Sequence, residues 1–202
     1  YISLADQDDI WCEDKLIHAI SIMENGQING YSSNVLAFWG DGRERLVKKS
    51  YPQKKFDYFF ETGGPGCSCV LKRNSIQKFK KFLISNWDHA NSIESHDWLI
   101  YAYFRSKGMR WKIDDKPLMY YRQHDNNQVG MNFGLKAYFS RFFQIKTKWY
   151  RNEVTNILIL LNSDSVEKFH LERFFLIKNF WHLRRRFRDA IILLFMIIFN
   201  IF

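Results

Sequence analysis

The apolar pattern of this chain changes character near Gly130. Upstream, short β-prone runs alternate with helical spacings and with breaks rich in Gly, Pro and Asp; downstream, only helical spacing remains. Any sheet must therefore be built from residues 1–130, and residues 131–202 form a helical tail. Tyr1 to Ala5 is β-prone and breaks into Asp6-Gln7-Asp8-Asp9, the pattern of a buried strand ending in an acidic loop. Trp11, Leu16, Ile17, Ile20 and Met23 give Ile10 to Met23 a helical period, stopped by Asn25-Gly26. Tyr31 to Trp39 reads as extended, Asp41-Gly42 as a turn, Arg43 to Lys55 as a polar loop and Phe56 to Phe60 as a strand. Helices are expected over Leu71 to Ser85 and Ser95 to Ser106. Two strands, Arg110 to Ile113 and Leu118 to Arg122, should flank a turn at Asp114-Asp115-Lys116-Pro117. Helices over Phe133 to Asn162 and Val166 to Phe202, with a capping box at Asp164 to Glu167, complete an α/β reading.

With 202 residues, 47% hydrophobic and 25% charged, the chain has the composition of a folded domain and not of a disordered one. Its aromatic content, 18%, stands out beside only ten Gly and three Pro, and suits a partner that is a sugar, a base or a membrane interface. The net charge of +9 favours an anionic partner: a phosphate ester, nucleic acid or acidic lipid. Cys12, Cys67 and Cys69 are odd in number and offer only a C-x-C pair, which supports neither a disulfide framework nor a two-plus-two zinc site and fits a reducing, cytosolic setting. The first residues carry neither a basic nor an apolar leader segment. An apolar run that leads at once into an acidic loop reads as the middle of a domain, with further sequence expected upstream.

Four clusters carry chemistry. Asp6, Asp8 and Asp9 at a strand end can hold a hard divalent cation against a diphosphate, or can cap the helix that follows. Gly63-Gly64-Pro65-Gly66, followed by Cys67-Ser68-Cys69, allows close backbone approach to a ligand, or is a plain tight turn. In Glu94-Ser95-His96-Asp97-Trp98 a carboxylate can act as a general base and Trp98 can line a sugar site; an N-terminal cap with a buried Trp explains the same residues. Finally, Tyr120-Tyr121-Arg122-Gln123-His124-Asp125-Asn126-Asn127 places a cation-binding or solvated His124 beside an arginine suited to phosphate.

Taken in this order, ADQDDIW with Lys15-Leu16, the GGPG loop, SHDWL and YRQHDNN resemble the bacterial family-2 glycosyltransferases, particularly the rhamnosyltransferase-like group, over residues 1 to about 130. The resemblance implies the C-terminal portion of a GT-A, Rossmann-like nucleotide-sugar domain lacking its N-terminal nucleotide-binding half. It implies an inverting sugar transfer from a dTDP- or UDP-sugar, with rhamnose the sugar expected. The acceptor would be a lipid-linked (polyprenyl-diphosphate) or polysaccharide glycan of the cell surface, such as O-antigen or capsule, and the cofactor Mn²⁺ or Mg²⁺. By position, Asp6 and Asp8 match the D-x-D element, with Asp8 the direct ligand and Asp9 assisting. Gly63, Gly64, Pro65 and Gly66 match the loop beside donor and acceptor, Asp97 the catalytic base, and His124 the histidine that completes the metal site, with Trp98 and Arg122 as further donor or acceptor contacts. An inactive remnant of such an enzyme is the alternative that the absent upstream half leaves open.

The tail adds a location. Phe169 to Phe202 carries six Lys and Arg residues against Glu172 and Asp189, and ends in AIILLFMIIFNIF. A basic, aromatic helix suits the anionic, inner face of the bacterial cell membrane, from the cytoplasmic side. Thirteen residues fall short of the ~20 needed to span a bilayer. A nucleic-acid-binding module is the rival from another class, and the acidic run at Asp6 to Asp9 argues against it.

Overall fold

The computed structural model describes residues 1–123, 148–162 and 171–202. Eight short strands are present among them: β1 (Ile2–Ser3), β2 (Ile10–Trp11), β3 (Gly30–Ser33), β4 (Val35–Phe38), β5 (Glu44–Val47), β6 (Val70–Leu71), β7 (Trp111–Asp114) and β8 (Met119–Arg122). The helices are α1 (Lys15–Asn25), α2 (Arg73–Ser85), α3 (Trp87–Ala90), α4 (His96–Ser106), α5 (Trp149–Asn162), α6 (Arg173–Lys178) and α7 (Phe187–Ile198). The strands form two small mixed sheets, ordered β1-β6-β3-β7 and β2-β8-β4-β5. Parallel pairs lie at the centre of the connection between them. β3 runs beside β7 in the first sheet, and their continuations β4 and β8 run side by side in the second.

Asn34 fixes the crossing point. It is buried between β3 and β4; its amide nitrogen donates to Ser50 Oγ at 3.0 Å and to the Asp115 carbonyl at 2.9 Å, while its Oδ1 accepts the backbone N–H groups of Lys49 and Ser50. A buried amide with both ends satisfied holds the strand ends of both layers together.

One large core unites the chain. In α4 every residue from Trp98 to Phe104 is buried, and around it pack Phe59, Phe60, Phe79 and Phe82, then Ile157 and Leu161 of α5. Leu176 of α6, Leu183, and Leu193 and Ile197 of α7 belong to the same core, as does Phe202. Residues 171–202 are thus bound into the domain by apolar burial, at roughly 1.5–3 kcal/mol for each fully buried side chain. The expected boundary at residue 130 lies outside the described residues, as does the Asp164–Glu167 capping box.

Several local expectations change. Arg43 to Lys55 is not all loop: Glu44–Val47 is an exposed edge strand paired with β4, its hairpin closed by Gly42 at φ 84° and by Asp41, whose side chain accepts the Arg43 N–H at 3.1 Å. An edge strand wet on most of its surface has no apolar alternation to read. Phe56 to Phe60 is a 3₁₀ turn over Asp57–Phe59, because the Asp57 carbonyl takes the N–H groups of Phe60 and Glu61. Ile10–Trp11 pairs with β8, so the first helix opens only at Lys15. Val166 to Phe202 is not one helix; among its described residues α6, a 3₁₀ turn at Phe180–His182 and α7 are separate pieces, broken where the arginine run turns inward.

Candidate functional site

The acidic loop leaves β1 and turns at Gln7–Asp8. Arg122 at the end of β8 holds that turn: its backbone N–H donates to Asp9 Oδ1 at 3.0 Å and its Nε to the Asp8 carbonyl at 2.8 Å, with its guanidinium 4.6 Å over the Phe38 ring. The turn decides which acids meet. Carboxylates two apart share a side only while the chain stays extended; here Asp9 comes round beside Asp6, and ligand atoms of Asp6, Asp9 and Cys67 lie within 4.8 Å of one another. Asp8, expected as the direct ligand, is not a member of this cluster, and His124 lies outside the described residues.

The buried Oδ2 of Asp9 has no N–H or O–H donor among the described residues, and the Cys67 thiol sits beside the carboxylate. Burial raises the Asp9 pKa, with the Arg122 N–H opposing it and Asp6 and Asp8 adding to it. An unfilled carboxylate oxygen and a second carboxylate fit a hard divalent cation; burial and the neighbouring Asp9 push the Cys67 thiol up, so it is protonated and the weakest donor of the three.

The glycine loop stands between this cluster and α4. Thr62 Oγ1 lies 2.9 Å from the Gly64 carbonyl and 3.3 Å from Asp97 Oδ2, and Pro65 O accepts Ser68 Oγ at 2.7 Å. Ser32 Oγ donates to the Gly63 carbonyl at 2.9 Å. A Cβ on Gly66 would come within 2.9 Å of His96 Nε2 and 3.4 Å of Asp97 Cβ; one on Gly63 would lie 2.7 Å from the Tyr101 ring. Only bare backbone lets the loop pack this close to the start of α4. Lys15, buried at the start of α1, fastens the other side: its ammonium donates to the Cys67 carbonyl at 3.0 Å and lies 3.3 Å from the centre of the Trp11 ring. Burial lowers its pKa to about 8.

Asp97 opens α4. Its Oδ1 accepts the Trp98 N–H at 2.8 Å. Burial raises its pKa, opposed by His96, the Trp98 N–H, Lys49 and Thr62. Tyr121 of β8 ties the two halves together electrostatically. Burial first, then the neighbouring Cys67, Asp9, Asp6 and Asp97, push its phenol up to about 12. The Thr62–Cys67 loop links these halves: Thr62 Oγ1 and Gly66 lie against Asp97, and Cys67 lies in the acidic cluster. Trp98 is buried in the core, its Nε1 donating to the Tyr58 carbonyl at 2.9 Å and its ring stacked 5.8 Å from Tyr150, as the alternative of a buried Trp behind an N-terminal cap expects.

Behind Thr62 lies a cluster with no local signature in the chain. Arg185, buried, donates to Glu61 Oε2 at 3.1 Å, to the Thr62 carbonyl at 2.6 Å and to Asp57 Oδ2 at 3.4 Å. Tyr101 OH and Arg105 also meet Asp57, at 2.9 and 3.3 Å. Arg184 donates to the Phe60 carbonyl at 2.6 Å and to Tyr150 OH at 3.0 Å. Lys49, its pKa lowered chiefly by burial and then by Arg185, feels both Glu61 and Asp97. Cys67 is the one missed residue with a local signal, a thiol directly after a glycine loop. Thr62, Lys49 and Arg185 come together only through long-range packing.

No protein-family model matches the chain. The dTDP-rhamnosyl transferase RfbG of Shigella flexneri is 46% identical over 207 residues, a match that covers 100% of this chain and 72% of that protein. The chain belongs to the family of that transferase and is a glycosyltransferase. Its two mixed sheets and seven described helices are compatible with part of a glycosyltransferase domain.

Proposed function

We propose that this chain carries the acceptor side and the cation site of an inverting rhamnosyltransferase with a GT-A, family-2 type of catalytic domain. It would transfer rhamnose from dTDP-rhamnose to a hydroxyl of a cell-surface glycan. The observation that supports this reading most is the glycine loop itself, which carries Cys67 of the Asp6–Asp9–Cys67 cluster at one end and meets Asp97 through Thr62 and Gly66. The donor is inferred from the relative, whose name specifies a dTDP-rhamnosyl substrate.

Asp97 serves as the base. It takes the proton of the acceptor hydroxyl, whose oxygen forms the new bond to the sugar's anomeric carbon as the bond to the diphosphate breaks on the opposite face. A base of raised pKa is well matched to a hydroxyl near neutral pH, and Thr62 orients it. A single displacement of this kind inverts the anomeric centre. Asp6 and Asp9, beside Cys67, would hold Mn²⁺ or Mg²⁺, which when bound supplies positive charge for the leaving diphosphate. The glycine loop excludes side chains from the space between them. A lipid-linked acceptor, and attachment to the inner face of the cell membrane, belong to the same reading.

The test is release of dTDP from dTDP-rhamnose, followed by chromatography with Mn²⁺, a glycan acceptor and a panel of other nucleotide sugars. Turnover confined to dTDP-rhamnose, and lost in Asp97→Asn, is expected. Equal turnover by Asp97→Asn removes the base assignment, and turnover of a UDP-sugar alone removes the donor.

A further inference from the structure

Helix α7 buries Ala190, Leu193 and Ile197 against the core. A helix seated this way should turn polar side chains outward. Instead its opposite side carries Ile192, Phe195 and Phe199, 51%, 56% and 66% exposed, at helical spacing one turn beyond Arg188. The Phe195 and Phe199 rings lie parallel, 6.3 Å apart at 6°. At the helix start Phe187, 61% exposed, stacks on the exposed Trp181 at 5.0 Å. An aromatic surface thus runs the length of the helix, uncovered by any described part of the chain.

Its ends are basic. Arg188 opens the stripe, and the exposed Arg173 of α6 donates to the Ile198 carbonyl at the far end, which sets a second guanidinium beside Phe199. Arg186 precedes the helix and Lys178 is exposed on α6. The acids facing this region are Asp189, half-buried and paired with Arg188 at 3.2 Å and Arg184 at 3.9 Å, and the exposed Glu172. An aromatic and aliphatic stripe between guanidinium groups matches an anionic bilayer surface: rings enter the acyl boundary, Trp sits at the interface and arginines meet phosphates. No described helix is long and apolar enough to cross the bilayer, so the face would lie along the surface.

We infer that the outer face of α7 docks the protein on an anionic membrane, lying in the plane of the headgroups with Phe195 and Phe199 inserted. This rests on the membrane attachment included in the proposed function and supplies its surface, while a vesicle assay fails or succeeds separately from turnover. The test is vesicle flotation of the full chain with phosphatidylglycerol–phosphatidylcholine vesicles against phosphatidylcholine alone, at low and high salt. Binding to the anionic vesicles is expected, weakened by salt and reduced at least about tenfold in Phe195→Glu/Phe199→Glu. Arg173→Glu/Arg188→Glu should lose the preference for anionic lipid, and Ile84→Glu, an exposed apolar position on α2, should bind as wild type. Because all five positions are exposed, circular dichroism should show each variant folded. Unchanged binding by the phenylalanine variant overturns the proposal. So does a wild-type chain that ignores both vesicles and sediments as a dimer that this variant dissociates, which would make a second copy the occupant.

Discussion

Two carboxylate clusters lie a short way apart in this molecule, and they have opposite surroundings. Asp57 and Glu61 are met by Arg105, Arg184 and Arg185, deep against the core. Asp6 and Asp9 have a thiol and a backbone N–H beside them, and the buried Asp9 oxygen has no N–H or O–H donor among the described residues. Burial with fixed countercharges makes the first a strut that fastens the 57–62 segment under Thr62. Asp57 Oδ1 also lacks a hydrogen bond, but Arg105 stands 3.3 Å from it; beside Asp9 stand a carboxylate and a thiol, which leaves room for a cation. The difference shows that acid content alone does not mark a site: what matters is whether the fold has already supplied the positive charge.

Breaking the strut should have the largest effect on stability. Arg185→Ala leaves Asp57 and Glu61 buried without their partner, and is expected to cost about 3–5 kcal/mol in urea unfolding, while Asp6→Ala at the exposed rim changes stability by less than ~0.5 kcal/mol. Similar losses in both would erase the contrast.

Asp97→Asn is expected to lower turnover by about 10²–10⁴-fold without lowering the melting temperature. The sign follows from linkage. Because the folded pKa is raised, the folded state binds more protons than the unfolded one between the ordinary carboxylate value and the raised one. The ionised Asp97 therefore costs stability at neutral pH. Any gain on replacing it should shrink as the pH falls through the folded pKa and the wild-type acid becomes neutral. Turnover of the wild type should decline through the same pKa, since the base must be ionised. A gain that grows on acidification would contradict the assignment.

The two glycines beside these clusters sharpen the comparison further. In Gly63→Ala the new methyl meets the buried Tyr101 and Trp111 rings, and a loss of about 1–3 kcal/mol is expected from overpacking. In Gly66→Ala it meets the tip of the exposed His96 and the Asp97 side chain, so stability should fall by under ~1 kcal/mol while turnover drops. Thermal melts and turnover measured on the same samples separate the two.

Much of the fold was legible. The helices over Arg73–Ser85 and His96–Ser106, and the strands at Trp111–Asp114 and Met119–Arg122, follow directly from apolar period and turn residues. The site was legible as motifs: the acidic run, the glycine loop and Asp97 do come together. Their detailed pairing was not. Asp9 and not Asp8 comes beside Asp6 because a tight turn overrides the alternation of an extended strand, and Trp98 is buried because α4 is covered on all sides. The Asp57–Arg185 strut spans 128 residues of chain and leaves no local trace. Nor could spacing reveal that residues 171–202 close the core on one side of α7 and leave the other side apolar.

The most direct test of the central claim is Mn²⁺ binding, measured by the quenching of the free-ion paramagnetic resonance signal in wild type, Asp9→Asn, Asp8→Asn and Asp97→Asn. The account predicts that Asp9→Asn weakens binding at least about tenfold, in keeping with the loss of a direct carboxylate ligand, while Asp97→Asn and Asp8→Asn bind as wild type. Wild-type affinity in Asp9→Asn, with the loss falling on Asp8→Asn, would contradict it and return the cation to the alternate-residue pairing.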